Sequence, residues 1–159
     1  MQTSSLRTLF VINPVAGIKR QKKLLEYFEK SPSKIDYRVS EYKGHISEIF
    51  MESFEDYDLF VAVGGDGTFN ELVSVAVNTK KIVAILPYGS GNGFARELGF
   101  TKNIDNLFTA IEKGQVLTVD TLDIAGRVSV NVSGVGFDSR IAHVFHRMKR
   151  RGFWSYFFS

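Results

Sequence analysis

The chain of 159 residues contains no cysteine. That excludes a disulfide framework and any thiolate-held metal site, and it fits a reducing compartment. Histidine is sparse. His45, His143 and His146 show no metal-ligand spacing with acidic partners. His143 and His146 stand three apart on a predicted helix, where a solvated face is a better reading than a weak metal site. No segment approaches the roughly 18 apolar residues of a membrane span. The N-terminus lacks the charged start and apolar stretch of a signal peptide. A GxxxxGK[ST] loop is missing, so this is not a P-loop nucleotidase. No glycine loop is a GxGxxG with an acidic residue about 20 positions on, so the dinucleotide fingerprint is missing too. Internal repeats and low-complexity segments are also absent.

What remains is ordinary for a globular protein, at 44% hydrophobic and 23% charged residues, with 14 phenylalanines to fill a core. The length allows one domain, or one domain and a piece of another. The net charge of +3 is mild. It gathers late, in Arg147, Lys149, Arg150 and Arg151, beside the aromatic ending FWSYFFS. A solvated charged face beside core aromatics accounts for this tail better than a lipid-facing surface does, although Lys/Arg and Trp/Tyr also suit an anionic membrane interface. No feature calls for nucleic acid.

The stretch LFVAVGGDGTFNELV, Leu59 to Val73, organises the rest. Leu59 to Val63 is a short unbroken apolar run with β-branched residues, the habit of a parallel strand buried on both faces. Gly64 and Gly65 allow a sharp turn, and Phe69, Leu72 and Val73 recur at helical spacing, so a helix is predicted to start at Gly67 or Thr68. Unpaired N–H groups at a helix start, backed by the helix dipole, hold phosphate well. Asp66 would repel a phosphate there unless a cation lay between them, which suggests a nucleotide delivered with a divalent metal. A bare tight turn is the plain alternative. Should Asp66 merely cap the helix that follows it, Asn would serve about as well.

Elsewhere, strands are predicted at Thr8–Ile12, Tyr37–Ser40 and Ile82–Leu86. Helices are predicted at Lys22–Lys30, Gly44–Phe54 and Ile104–Glu112. This alternation argues a parallel α/β sheet with right-handed crossovers. Ligands sit at the carboxyl ends of strands in such sheets, so the loops Asn13–Gly17, Gly64–Thr68 and Pro87–Gly93 should gather there. In the third loop, PYGSGNGFAREL, Ser90 and Asn92 are polar side chains able to contact phosphate or ribose. After Gly114 the pattern changes to paired strands, Val116–Ala125 and Val128–Val132, around a turn at Gly126-Arg127. The expected organisation is an α/β nucleotide-binding domain over residues 1–114 and the first part of a β-rich domain over residues 115–159. A helix is predicted at Phe137–Lys149, and the apolar ending reads as cut off.

The pieces NPVAG, SEYKGH, GGDGTFNELV, PYGSGNGFARELG and NVSGVGFDSRIA run in this order from Asn13 to Ala142. Together they resemble the diacylglycerol kinase catalytic-domain family, which also holds sphingosine and ceramide kinases, and most of all its bacterial lipid kinase branch. The resemblance implies ATP as phosphoryl donor, Mg2+, and a lipid acceptor with a free hydroxyl, such as diacylglycerol or a sphingoid base. It implies an α/β nucleotide domain followed by a β-rich lipid-binding domain. The expected location is the cytoplasm, with peripheral membrane contact as an alternative. By motif it carries over Asn13, Gly17, Ser40, Gly64, Gly65, Asp66, Gly67, Thr68, Phe69, Asn70 and Ser90 as nucleotide-binding positions. Gly91 and Asn92 are read as nucleotide-binding beside them, and Asp66 as the catalytic residue and metal organiser. The sequence departs from the family pattern in two places. Ser40 replaces the usual Thr, which keeps the hydroxyl, and Gly93 replaces a frequent Asp. The family's later acidic motif, thought to supply the general base, and its main metal ligands are expected beyond Ser159, so the fragment alone is expected to be inactive. The rivals are an NAD kinase-like enzyme, which shares GGDGT, and a nucleotide-binding regulatory module without catalysis.

Overall fold

A computed structural model describes residues 6–32, 34–131 and 133. The apolar runs read from the sequence form β1 (Thr8–Ile12), β3 (Leu59–Gly64) and β4 (Ile82–Pro87), and Asp36–Val39 forms β2. All pair in parallel, in the order β2-β1-β3-β4. The register sets Thr8 opposite Leu59 and Leu59 opposite Ile82, so the strands end level with one another. A period of two then divides the side chains between the faces. Leu9, Val11, Phe60, Ala62 and Ile85 face one way; Phe10, Ile12, Val61, Val63 and Leu86 face the other. Both faces are covered, which is why these strands show no polar alternation.

The first face receives α2 (His45–Glu52), α3 (Asp66–Ala76) and the short α4 (Gly93–Glu97), through Ile49, Phe50, Phe69, Leu72 and Ala95. The second receives α1 (Ile18–Lys30) and α5 (Ile104–Glu112), through Leu24, Phe28 and Leu107. Aromatic edges lock both layers: Phe50 lies 4.6 Å from Phe60, and Phe10 lies 4.9 Å from Phe28. This is the expected α/β fold.

Several boundaries differ from the sequence reading. Helix α1 begins at Ile18, directly after Gly17 at φ 65°, whereas Lys22 was expected. The polar run KRQKK carries no apolar period, so the pattern became readable only at Leu24. Helix α3 begins at Asp66, one or two residues early. Helix α2 is shorter at both ends, starting after Gly44 at φ 98° and stopping before the buried Ser53. Strand β2 lies one residue earlier, leaving Ser40 just past its end.

The second sheet is the expected antiparallel hairpin, much shortened, with β5 (Leu122–Ile124) and β6 (Arg127–Ser129). Its turn is Ala125-Gly126, not Gly126-Arg127. Both residues have positive φ, 52° and 77°, the two-residue turn whose twist matches a hairpin. Residues 116–121 stay outside the ladder. Their apolar side chains are exposed, with Leu117 at 70%, so β-forming composition alone did not make a strand there. The predicted helix Phe137–Lys149 and nearly all of NVSGVGFDSRIA lie outside the described residues. No helix among the described residues is long and apolar enough to cross a membrane.

The packing predicts that Phe50→Ala, which empties a wholly buried ring site against Phe60 and Phe54, lowers stability by about 3–5 kcal/mol. Urea unfolding should show a lower midpoint at unchanged slope. Met51→Ala, next in sequence but 65% exposed, should stay within about 0.5 kcal/mol of wild type.

Candidate functional site

The level strand ends bring three loops together, as the sheet topology requires. The loop after β1 extends the sheet by one bond, from Asn13 N–H to Val63 O at 3.0 Å. The Asn13 side chain then acts on two loops. Its Oδ1 accepts from Val15 N–H at 3.1 Å, and its Nδ2 donates to Thr68 Oγ1 at 2.9 Å. Gly17 closes this loop in the left-handed region, and a Cβ there would lie 2.6 Å from the Tyr88 carbonyl oxygen. Gln21, one turn into α1 and 6% exposed, donates its side-chain amide to the carbonyls of Asn13 and Ala16. A buried glutamine that satisfies loop carbonyls is a support for the loop.

The loops after β3 and β4 meet backbone to backbone. Tyr88 N–H and Gly89 N–H both donate to Gly64 O, at 2.8 and 3.0 Å. A Cβ on Gly89 would stand 2.5 Å from Gly65 Cα and 2.8 Å from Asn92 Oδ1, and one on Gly64 would stand 2.4 Å from Thr68 Oγ1. No side chain fits at either place. The N–H groups of Asp66, Gly67 and Thr68 open α3 and have no acceptor within the helix. The outer rim is made of exposed Pro14, Val15, Gly67, Ser90 and Gly91. A backbone cradle at a helix N-terminus with an exposed hydroxyl, Ser90, on its rim suits an anion such as a phosphate.

The structure gathers Asn13, Gly17, Gly64 to Thr68, Ser90, Gly91 and Asn92 at this edge, but several have other work than contacting a ligand. Asn92 is 1% exposed. Its Nδ2 donates to Gly89 O at 2.7 Å and Pro87 O at 3.4 Å, so the side chain holds its own loop. Phe69 is buried and stacked on Phe94 at 4.9 Å, a core contact. Asn70 donates to Val128 O and accepts from Val130 N–H, at 3.0 and 3.1 Å, so both ends of its amide tie α3 to the hairpin. Ser40 is buried at the end of β2, its N–H and Oγ both directed to Ile12 O. Asp66 accepts from Gly93 N–H at 3.0 Å and Phe94 N–H at 3.3 Å. It therefore caps α4, not the helix that follows it.

Gln21, Tyr88, Gly89 and Glu71 were missed. Glu71 Oε1 accepts from the N–H groups of Gly44 and Ile46, at 3.1 and 3.2 Å, and so caps α2 from one element away. Gly89 carried a signal, as the first glycine after the β4 run. Gln21 and Glu71 carried none, because their partners are distant backbone.

A Mg2+ ion asks for a near-octahedral set of oxygens, usually one or two carboxylates with waters and phosphate oxygens. Among the described residues no three His, Cys, Asp or Glu side chains converge. Asp66, the carboxylate on these loops, has both oxygens engaged by N–H donors. His45 Nδ1 accepts from Glu41 N–H at 3.0 Å, its ring stacked on Tyr42. The described residues do not fit a protein-built Mg2+ centre. A cavity of about 1150 Å3 lies elsewhere, between α5, β4 and residues 115–121, lined by Val83, Phe94, Leu107, Ile111 and Val119 among others. No residue of the three loops lines it.

Residues 7–124 match the diacylglycerol kinase catalytic domain. The chain is 27% identical over 138 residues to a diacylglycerol kinase of Bacillus subtilis strain 168, covering 82% of this chain and 46% of that protein. It is 26% identical over 144 residues to one of Staphylococcus carnosus strain TM300, covering 86% and 47%. The chain thus spans about half the length of these relatives. A crystal structure of a diacylglycerol kinase from Bacillus anthracis strain Sterne superposes with a TM-score of 0.68 at 23% identity, over 91% of this chain and 54% of that one. That likeness concerns the fold.

The loop contacts predict opposite outcomes for two glycines. Gly89→Ala must push the β3 and β4 loops apart, at a cost of about 1–3 kcal/mol, visible as a lower melting temperature. Gly67→Ala meets nothing within 4 Å and gains helix propensity, up to about 1 kcal/mol, so its melting temperature should hold or rise.

Proposed function

The chain belongs to the diacylglycerol kinase catalytic-domain family, and we propose that it is the nucleotide-binding part of an ATP-dependent lipid kinase. The enzyme would transfer the γ-phosphoryl group of ATP to the hydroxyl of a lipid such as diacylglycerol or a sphingoid base. Residues 1–114 form the nucleotide domain in this reading, and residue 115 onward begins a β-rich lipid-binding domain. The supporting observation is the cradle, in which three glycine loops are interlocked at the carboxyl edge of a parallel sheet, in the chain that matches the family.

Phosphoryl transfer asks the protein for positioning and charge stabilisation more than for covalent chemistry. The N–H groups of the first turn of α3 would hold phosphate oxygens, with the Ser90 hydroxyl and Gly91 backbone on the opposite rim. Asn13, Gln21, Thr68 and Asn92 would act one step back, keeping the loops at fixed separation so that the donors need no reorganisation when charge develops. In the reaction a bond forms between the lipid oxygen and the γ-phosphorus, the bond from that phosphorus to the bridging oxygen breaks, and ADP leaves. The hydroxyl proton would pass to a base outside the described loops, whose one carboxylate is already committed. Mg2+, if it travels with the nucleotide, would neutralise phosphate charge.

The test uses the full-length protein, labelled ATP and a lipid extract, beside an identical reaction with NAD. The expected outcome is label in a chloroform-soluble phospholipid. Label in NAD would replace this reading with an NAD kinase, and ATP binding without any transfer would replace it with a regulatory module.

A further inference from the structure

We propose that Asp66 is a positioning residue that clasps the third glycine loop to the second, and not a metal ligand. The consequence drawn for nucleotide rests on the function proposed above; the clasp itself does not.

Helix α4 is five residues long, far below the length at which a helix persists in water on its own. Its first N–H groups need acceptors. Asn92, at its N-cap position, does not provide one. That residue sits in the left-handed region at φ 59°, with no side-chain cap bond, and its amide is turned back onto Gly89 O and Pro87 O. The acceptors come instead from Asp66, 27 residues earlier in the chain, whose Oδ2 takes Gly93 N–H and Oδ1 takes Phe94 N–H. Gly91 passes close by, and a Cβ there would make only ordinary contact with Asp66 Oδ2, at 3.5 Å. Because Asp66 also opens α3, one negative charge stands at the N-terminal ends of two helices, where it is favoured. With each carboxylate oxygen already accepting a backbone hydrogen bond, the residue is built as a tie between loops.

This changes what Asn should do at position 66. An amide keeps a single acceptor oxygen and turns NH2 toward the other donor, so Asp66→Asn loosens the third loop with or without metal.

Amide hydrogen exchange, followed by NMR on the full-length protein without nucleotide and in EDTA, reads the clasp directly. In Asp66→Ala the Gly93 and Phe94 amides should exchange roughly ten-fold faster than in wild type, as expected for losing a charge-assisted bond. Val61 and Ala62 in β3 should be unchanged. Asp66→Asn should accelerate at least one of the two amides. Mg2+ alone, titrated into the wild-type protein, should leave the resonances of residues 66, 93 and 94 in place. ATP affinity in Asp66→Asn should fall by the same factor with Mg2+ and with EDTA. Wild-type exchange at both amides, saturable Mg2+ shifts at residue 66, or a loss of ATP affinity confined to Mg2+ would each overturn the proposal. A protein that binds no ATP would sink the kinase reading and leave the exchange result standing.

Discussion

Two backbones meet at Gly65 and Gly89 with no room for a side chain between them. The contact exists because β3 and β4 are adjacent parallel strands that end in register, Gly64 opposite Pro87, so the chain leaves both at the same height. Gly64 O then takes the N–H of Tyr88 and of Gly89, which draws the β4 loop over the β3 turn. The first loop is fixed to the same point, since Gly17 packs on the Tyr88 carbonyl and Asn13 reaches Thr68. The cradle is thus a product of strand order and of small residues at a few crossings.

Polar side chains that look like ligand contacts in the sequence mostly serve this closure. Asn13 and Thr68 join two loops, Asn70 ties α3 to the hairpin, and Asn92 holds its own loop. A loop rich in glycine loses much entropy on folding, and buried polar ties offset part of that cost. What remains for a ligand is chiefly backbone N–H, the exposed Ser90 hydroxyl and the open rim. That division suits phosphate, which backbone donors recognise without help from side-chain charge.

The sheet was legible because burial on both faces erases polar alternation, so Thr8–Ile12, Leu59–Val63 and Ile82–Leu86 stand out as uninterrupted runs. The three loops were legible because each follows such a run with glycine or proline. Side-chain duty was not. Asn92 and Ser90 sit two residues apart in the same loop with similar chemistry, yet one is buried and the other exposed, and nothing local distinguishes them. Asp66 and Glu71 cap helices other than their own, which depends on how α3 lies against α2 and α4. The hairpin was overestimated for the opposite reason: Val116–Val119 has strand composition but meets no partner strand among the described residues.

The central claim is that nucleotide lies across the interlocked loops, and amide shift mapping with ATP on the isotope-labelled full-length protein tests it most directly. The largest shifts should fall on Gly65 to Thr68, on Ser90 and Gly91, and on Val15 to Gly17. Shifts concentrated at Leu107, Ile111 and Val119, around the cavity beneath α5, with the three loops unmoved, would contradict it.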